Sequence, residues 1–180
     1  MNDPPASARY TISIATGLAD DLAQACLDVA ELLRGTSALD DPLAHAQRGR
    51  LLPDAYRDDP EASAEFRRYV ENDLVDRKAG AAERIAATIA AAHVGDDDVD
   101  DERGTTTITL DSQQLIEWAG AITDVRLVLA EELNIASDDD TVRLQQSPGD
   151  PVTRELLGRY EWLAIVQEQL VQALLAELPG

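Results

Sequence analysis

An arginine on the apolar side of a helix is the first residue in this chain whose position invites a chemical role. At about 100° per residue, Arg126 falls among Leu115, Ala119, Ile122, Leu129 and Leu133. A guanidinium placed there must meet a carboxylate or backbone carbonyls, because an unpaired buried charge is very costly. Asp73 and Arg77 sit four residues apart at the edge of the stripe formed by Phe66, Val70, Leu74, Ala81 and Ile85, and they are the expected partners. Two readings follow. In one, Arg126, Asp73 and Arg77 form a buried ion-pair network that fixes helix register. In the other they line a polar pocket that recognises a carboxylate, which would make the chain an enzyme or a small-ligand binder.

Other chemistry lacks its parts. Cys26 is the only cysteine, so neither an intramolecular disulfide nor a multi-cysteine metal site can form within the chain. It projects about 60° to 80° off the centre of its helix's apolar stripe. That allows a small buried hydrophobe or an edge thiol open to oxidation or to pairing with another chain. His45 and His93 are far apart in sequence, in a loop-like segment and near a helix end, and no zinc spacing is present. The acidic runs fail as calcium loops, which need Gly at position six and Glu at position twelve. From Asp96 those positions hold Asp101 and Thr107; from Asp138 they hold Arg143 and Gly149. No Gly-x-Ser-x-Gly, Gly-rich phosphate loop or Gly-Lys-Ser/Thr occurs. No catalytic residue, metal or cofactor is assigned.

The elements that must position these residues are mainly helical. With 180 residues and 44% hydrophobic but only 4% aromatic content, the core must be built from Leu, Ile, Val and Ala. The punctuation reads as a loose tail over residues 1–8 and one domain over 9–180, with acidic loops near 94–104 and 136–150. Two alternating β-branched runs, Tyr10 to Ile14 and Thr106 to Leu110, read as strands. Four helices are predicted. The first runs from about Leu18 to Arg34 with Gly35 as its stop, and the second from Pro60 to His93. The third runs from an Asp111 N-cap to about Leu133, and the fourth from Pro151 to Leu178. The expected fold is therefore a bundle of about four helices with a small two-stranded β element. An offset of 96 aligns Ile12 with Ile108, Leu22 with Trp118, Cys26 with Ile122 and Val29 with Val125. A strand-helix-helix internal repeat and the chance likeness of two amphipathic units both account for it.

Charge narrows the partners. Thirty-five acidic against fifteen basic residues give −20, which argues against a phosphate-tracking surface and against anionic membranes. No apolar run approaches a membrane span, and no apolar signal region opens the chain, so a cytoplasmic protein is expected. From Arg48 to Arg84 eight basic residues face nine acidic ones, which makes this near-neutral stretch the place where an acidic partner would best approach. The last helix is apolar over a wide arc, and Trp162 and Ile165 fall on its second side. That side is either a second core contact or an interface, such as a homodimer would use.

Several ordered blocks carry a likeness. They are Asp41-Pro42-Leu43-Ala44, Leu51-Leu52-Pro53-Asp54-Ala55-Tyr56, Asp59-Pro60-Glu61-Ala62, Glu65-Phe66-Arg67-Arg68, Asp73-Leu74 with Arg77-Lys78, and Trp118 followed by Asp124-Val125-Arg126-Leu127-Val128-Leu129. Over about residues 10–178 the chain resembles an actinobacterial family catalogued as a domain of unknown function, encoded near the Clp protease adaptor and cysteine-biosynthesis genes. The resemblance implies a mainly helical protein for which a role as an oxidative-stress transcription regulator has been proposed, and it supplies no catalytic residues. Two features of this chain shape that role. Cys26 has no partner for a disulfide switch, and −20 disfavours direct promoter contact. The expected function is thus a non-enzymatic regulatory or adaptor protein that contacts a basic protein partner, such as a sigma factor.

Overall fold

The computed structural model describes residues 9–35, 41–53, 59–94, 104–147 and 149–176. Its elements run β1 (Arg9–Ala15), α1 (Thr16–Arg34), α2 (Pro42–Leu51), α3 (Pro60–Val94), β2 (Thr105–Asp111), α4 (Ser112–Glu132), α5 (Asp138–Gln146) and α6 (Pro151–Ala176). The expected tail over residues 1–8, and all of the Asp96–Gly104 loop except Gly104, lie outside the described residues.

Among the described residues six helices stand where about four were expected, and the two additional ones have local causes. Helix α2 starts at Asp41, whose side chain accepts from the Leu43 N–H at 3.0 Å, with Pro42 just inside the helix. Only Leu51 of α2 is buried, so there was no apolar stripe to read. Tertiary contacts hold it instead. Arg48 donates to the Leu32 carbonyl at 3.2 Å and to the Leu33 carbonyl at the C-terminal end of α1, where cations are favoured. Helix α5 occupies the segment expected to be an acidic loop. Asp138, Asp139 and Asp140 form its first turn, where the helix dipole favours negative charge. The Asp140 carboxylate accepts from the Ala136 N–H at 3.0 Å, the Ser137 hydroxyl at 2.9 Å and Arg143 Nη1 at 2.7 Å, which together hold its pKa down to about 2. What reads as self-repulsion along the chain is an N-terminal cap in three dimensions.

The strands pair antiparallel, from Arg9 opposite Asp111 to Ala15 opposite Thr105. Ile12, Ile14, Ile108 and Leu110 point into the core, while Thr11 and Ser13 meet Thr109 and Thr107 across the outer face. Ile12 pairs with Ile108, the same two residues that the offset of 96 aligns. Each half follows the order strand, long helix, short helix, long helix, so the unit holds three helices rather than the expected two. Helix α1 packs on α3 and α4 packs on α6, over a core that includes Leu22, Leu33, Ile85, Leu115, Ile122 and Leu170. A smaller cluster of Ala130, Leu133, Ile135 and Leu157 lies under α5.

Helix α4 enters directly from β2 through a reciprocal cap. The Gln114 N–H donates to Asp111 Oδ1 at 2.8 Å, and the Asp111 N–H donates to Gln114 Oε1 at 2.9 Å. Replacing Asp111 with Ala should lower the unfolding free energy by about 1 kcal/mol in urea titration, with the denaturant slope unchanged. No change in the midpoint would mean that the strand junction holds α4 without the cap.

Candidate functional site

Helix α4 is covered on several sides: by α1, α2, α3, α6 and both strands. Gln113, Ile116, Gly120 and Thr123 keep one exposed strip on it, and one charged residue falls under the cover. It is Asp124, 5% exposed, and not Arg126. Lys78 of α3 reaches it, with Nζ 2.5 Å from Oδ1. Burial pushes the Asp124 pKa up, and Lys78 opposes that shift. Cys26 lies near enough to feel this charge. Its own burial, followed by the negative charge of Asp124, raises the thiol to about 12. The thiol is fully enclosed and protonated, a packed hydrophobe with no nucleophilic character.

Arg126 turns to α6 instead of α3. Its Nη1 donates to Gln167 Oε1 at 2.5 Å, and its guanidinium lies over the Tyr160 ring, 4.7 Å from the centroid. Gln167 in turn donates to Thr123 Oγ1 at 2.7 Å, and that hydroxyl donates to the Ala119 carbonyl at 2.8 Å. The expected cluster is corrected accordingly: Asp73 and Arg77 are exposed on α3, and Arg126 is paired with an amide and an aromatic ring, not with a carboxylate. Its Nε is buried without a partner among the described residues. The chain of bonds clamps α4 to α6, and Arg126 lines neither the cavity beside Leu22 and Trp162 nor the one beside Ile85 and Trp118.

The remaining candidates separate in the same way. Trp162 packs half-buried against the core beside α1, whereas Ile165 is 60% exposed, so the two do not share a free face. His45 lies on α2 and not in a loop, and is exposed. His93 Nε2 is 2.8 Å from Thr106 Oγ1, with Nδ1 3.5 Å from Asp20, which ties the end of α3 to β2 and α1. Four of the cations in the near-neutral stretch from Arg48 to Arg84 pair within the molecule. Arg48 pairs with Glu71, Arg50 with Glu131, Lys78 with Asp124 and Arg84 with Glu117. Arg77, by contrast, is exposed on α3. Among the described residues, no group of three or more His, Cys, Asp or Glu could hold a metal ion, and no helix is long and apolar enough to cross a membrane. Sequence reasoning missed the Lys78–Asp124 pair. The signal was Asp124 standing alone among Trp118, Ala121, Val125 and Val128, on a helix apolar nearly all round.

Fold and site together define a mainly α protein with a small antiparallel sheet, in which Arg126, the residue first picked out for chemistry, ties α4 to α6. The chain belongs to the family described as a domain of unknown function, DUF2017, over residues 3–174. It is also similar to proteins of Mycobacterium tuberculosis and Mycobacterium bovis named oxidative stress regulator AosR, with 30% identity over 150 residues. That alignment takes in 73% of this chain and 62% of each relative, so the chain spans about six-tenths of their length. No solved structure matches it significantly.

Two charge substitutions should separate the roles of the two clusters. Lys78→Ala strands a buried carboxylate and should cost about 3 kcal/mol at neutral pH. A raised folded-state pKa means the native state holds the proton more tightly, so this loss should shrink as pH falls into the carboxylate range. Arg126→Ala removes a stacking contact and one hydrogen bond, and should cost about 1–2 kcal/mol with little pH dependence. Urea titrations at neutral and acidic pH check both, and the reverse ranking would contradict the burial order.

The enclosed thiol has its own test. Native protein should resist alkylation by iodoacetamide at mildly alkaline pH and react fully once unfolded in urea. Peroxide should produce no Cys26-linked dimer on a non-reducing gel. Rapid native labelling would show that α1 opens locally.

Proposed function

We propose that this chain is a non-enzymatic regulatory protein of the oxidative-stress response, acting in the cytoplasm through contacts with a protein partner. The likeness to AosR carries the reading. What the structure adds is a mechanism by elimination. Arg126, the residue best placed by sequence for ligand recognition, is engaged between Gln167 and Tyr160. The sole cysteine is buried and held protonated, so regulation does not run through a disulfide inside this chain. A net charge of −20 repels nucleic-acid phosphate, because affinity for it grows from cations that displace counterions. It attracts a basic protein, of which a sigma factor is one kind, and it speeds the encounter. In this reading residues 9–180 work as one helical domain.

Full-length protein immobilised under native conditions should retain a specific basic protein from its own cell lysate, with retention falling as salt rises. Fluorescence anisotropy at low salt should show no binding to duplex DNA at micromolar protein. Tight, salt-sensitive DNA binding by the protein alone would overturn the proposal.

A further inference from the structure

The two halves of the molecule build the same groove twice and fill it only once. In the first, α6 lies against α1 with Arg159 Nη2 3.4 Å from Asp21 Oδ2, and Trp162 and Leu163 leave a cavity of only about 40 Å³. In the second, α3 lies against α4 with Arg84 Nε 3.2 Å from Glu117 Oε2, and the space is about 470 Å³. A shift of 96 carries Asp21 onto Glu117 and Leu22 onto Trp118. A shift of 75 carries Arg84 onto Arg159, Ala87 onto Trp162, Thr88 onto Leu163 and Ala91 onto Val166. The same two shifts carry the Arg34–Glu83 pair onto Ala130 and Gly158, beside Leu157, which packs with Ala130. The correspondence therefore holds at two separate places on these helices. The second groove is open because Ala, Thr and Ala stand where the first has Trp, Leu and Val.

We infer that the α3–α4 groove docks an amphipathic helix of a protein partner, which brings the bulky apolar side chains that α3 lacks and carries basic residues on its flanks. The groove floor is Trp118 and Ile85, both buried, and its wall is the exposed pair Ala87 and Ala91. From Arg84 to Ala91 it runs along about 10 Å of α3, the length of two helical turns. Small wall residues let a second backbone approach closely, and an aromatic floor suits an aliphatic or aromatic anchor. The filled groove shows within the same chain that an indole and a leucine fit this shape. Charge selects the flanks, because the molecule as a whole carries −20.

This inference rests on the protein-partner reading above, and its test uses a defined probe. A fluorescein-labelled, Ala/Lys-based helical peptide with Trp and Leu at i and i+4 should bind the full chain in anisotropy at physiological salt. Changing both anchors to Ala should weaken binding at least about tenfold. Ala87→Trp, which fills the groove as Trp162 fills its counterpart, should do the same. Ala91→Gln, at an exposed wall position, carries the test if circular dichroism shows Ala87→Trp misfolded. Equal binding of the anchorless peptide would reduce the effect to charge alone and overturn the proposal, as would undiminished binding to the filled variants. Lysate retention separates the two ideas. A partner held equally by wild type and Ala87→Trp refutes the groove and leaves the partner reading intact. Groove-dependent peptide binding with no retained partner does the opposite.

Discussion

The pairing of β1 with β2 is the contact on which the rest of this structure depends. The two strands lie 96 residues apart at their central pair, Ile12 and Ile108, and each runs directly into a long helix. Helix α1 begins one residue after β1 ends and α4 one residue after β2 ends, so the ladder sets both helix origins at once. The Gly104 carbonyl, just before β2, accepts from the Thr16 N–H at 2.6 Å and sews the start of α1 to the same edge. A two-stranded ribbon alone is marginal in water. It persists because Ile12, Ile14, Ile108 and Leu110 are roofed by the helices it positions. Ladder and helices are thus mutually dependent, and their contacts are long-range in sequence. Such contacts form only after the loop-closure entropy has been overcome, which slows folding.

A chain with 35 acidic and 15 basic residues has few cations to spend, and several of the described ones are placed between elements. Arg34 joins α1 to α3, Arg50 joins α2 to α4, Arg84 joins α3 to α4, and Arg159 joins α6 to α1. Most of these pairs are partly exposed, so solvent and salt screen them and each adds little to stability. Their larger consequence is directional. They fix which helices face each other. Lys78 and Asp124 differ because Asp124 has no route to water, so their bond neutralises a charge that the core could not otherwise hold.

The sequence made the long elements readable and hid the short ones. Both strands alternate cleanly, Gly35 stops α1 in the left-handed conformation at φ 68°, and Asp111 caps α4, so these boundaries follow from local chemistry. Helices α2 and α5 bury almost nothing of their own, and only their caps and their neighbours define them. The helical wheel failed at Arg126 for a related reason. It assumes one buried face, whereas α4 is covered by three long helices, a short one and the sheet. Under such cover the buried arc widens until, before the last turn, only a strip at Gln113, Ile116, Gly120 and Thr123 stays exposed. The flexible arginine reaches the α4–α6 seam while the short aspartate cannot escape burial. Cys26 shows the same limit, since a residue off the centre of the α1 stripe is fully enclosed once α3 and α4 close over it.

Two halves of like order need not be equally packed, and the difference has a physical logic. A groove filled by Trp162 and Leu163 contributes burial to the fold. Its counterpart on α3 and α4 forgoes that burial and leaves about 470 Å³ beside an aromatic floor. The frame tolerates the loss because Ile85, Ile89 and Trp118 already close the core beneath it. Emptiness there costs the fold little, since the missing contacts lie above a sealed layer and not within it. A helix supplying the absent side chains would recover that burial as binding energy, at a site whose shape the other half has already set.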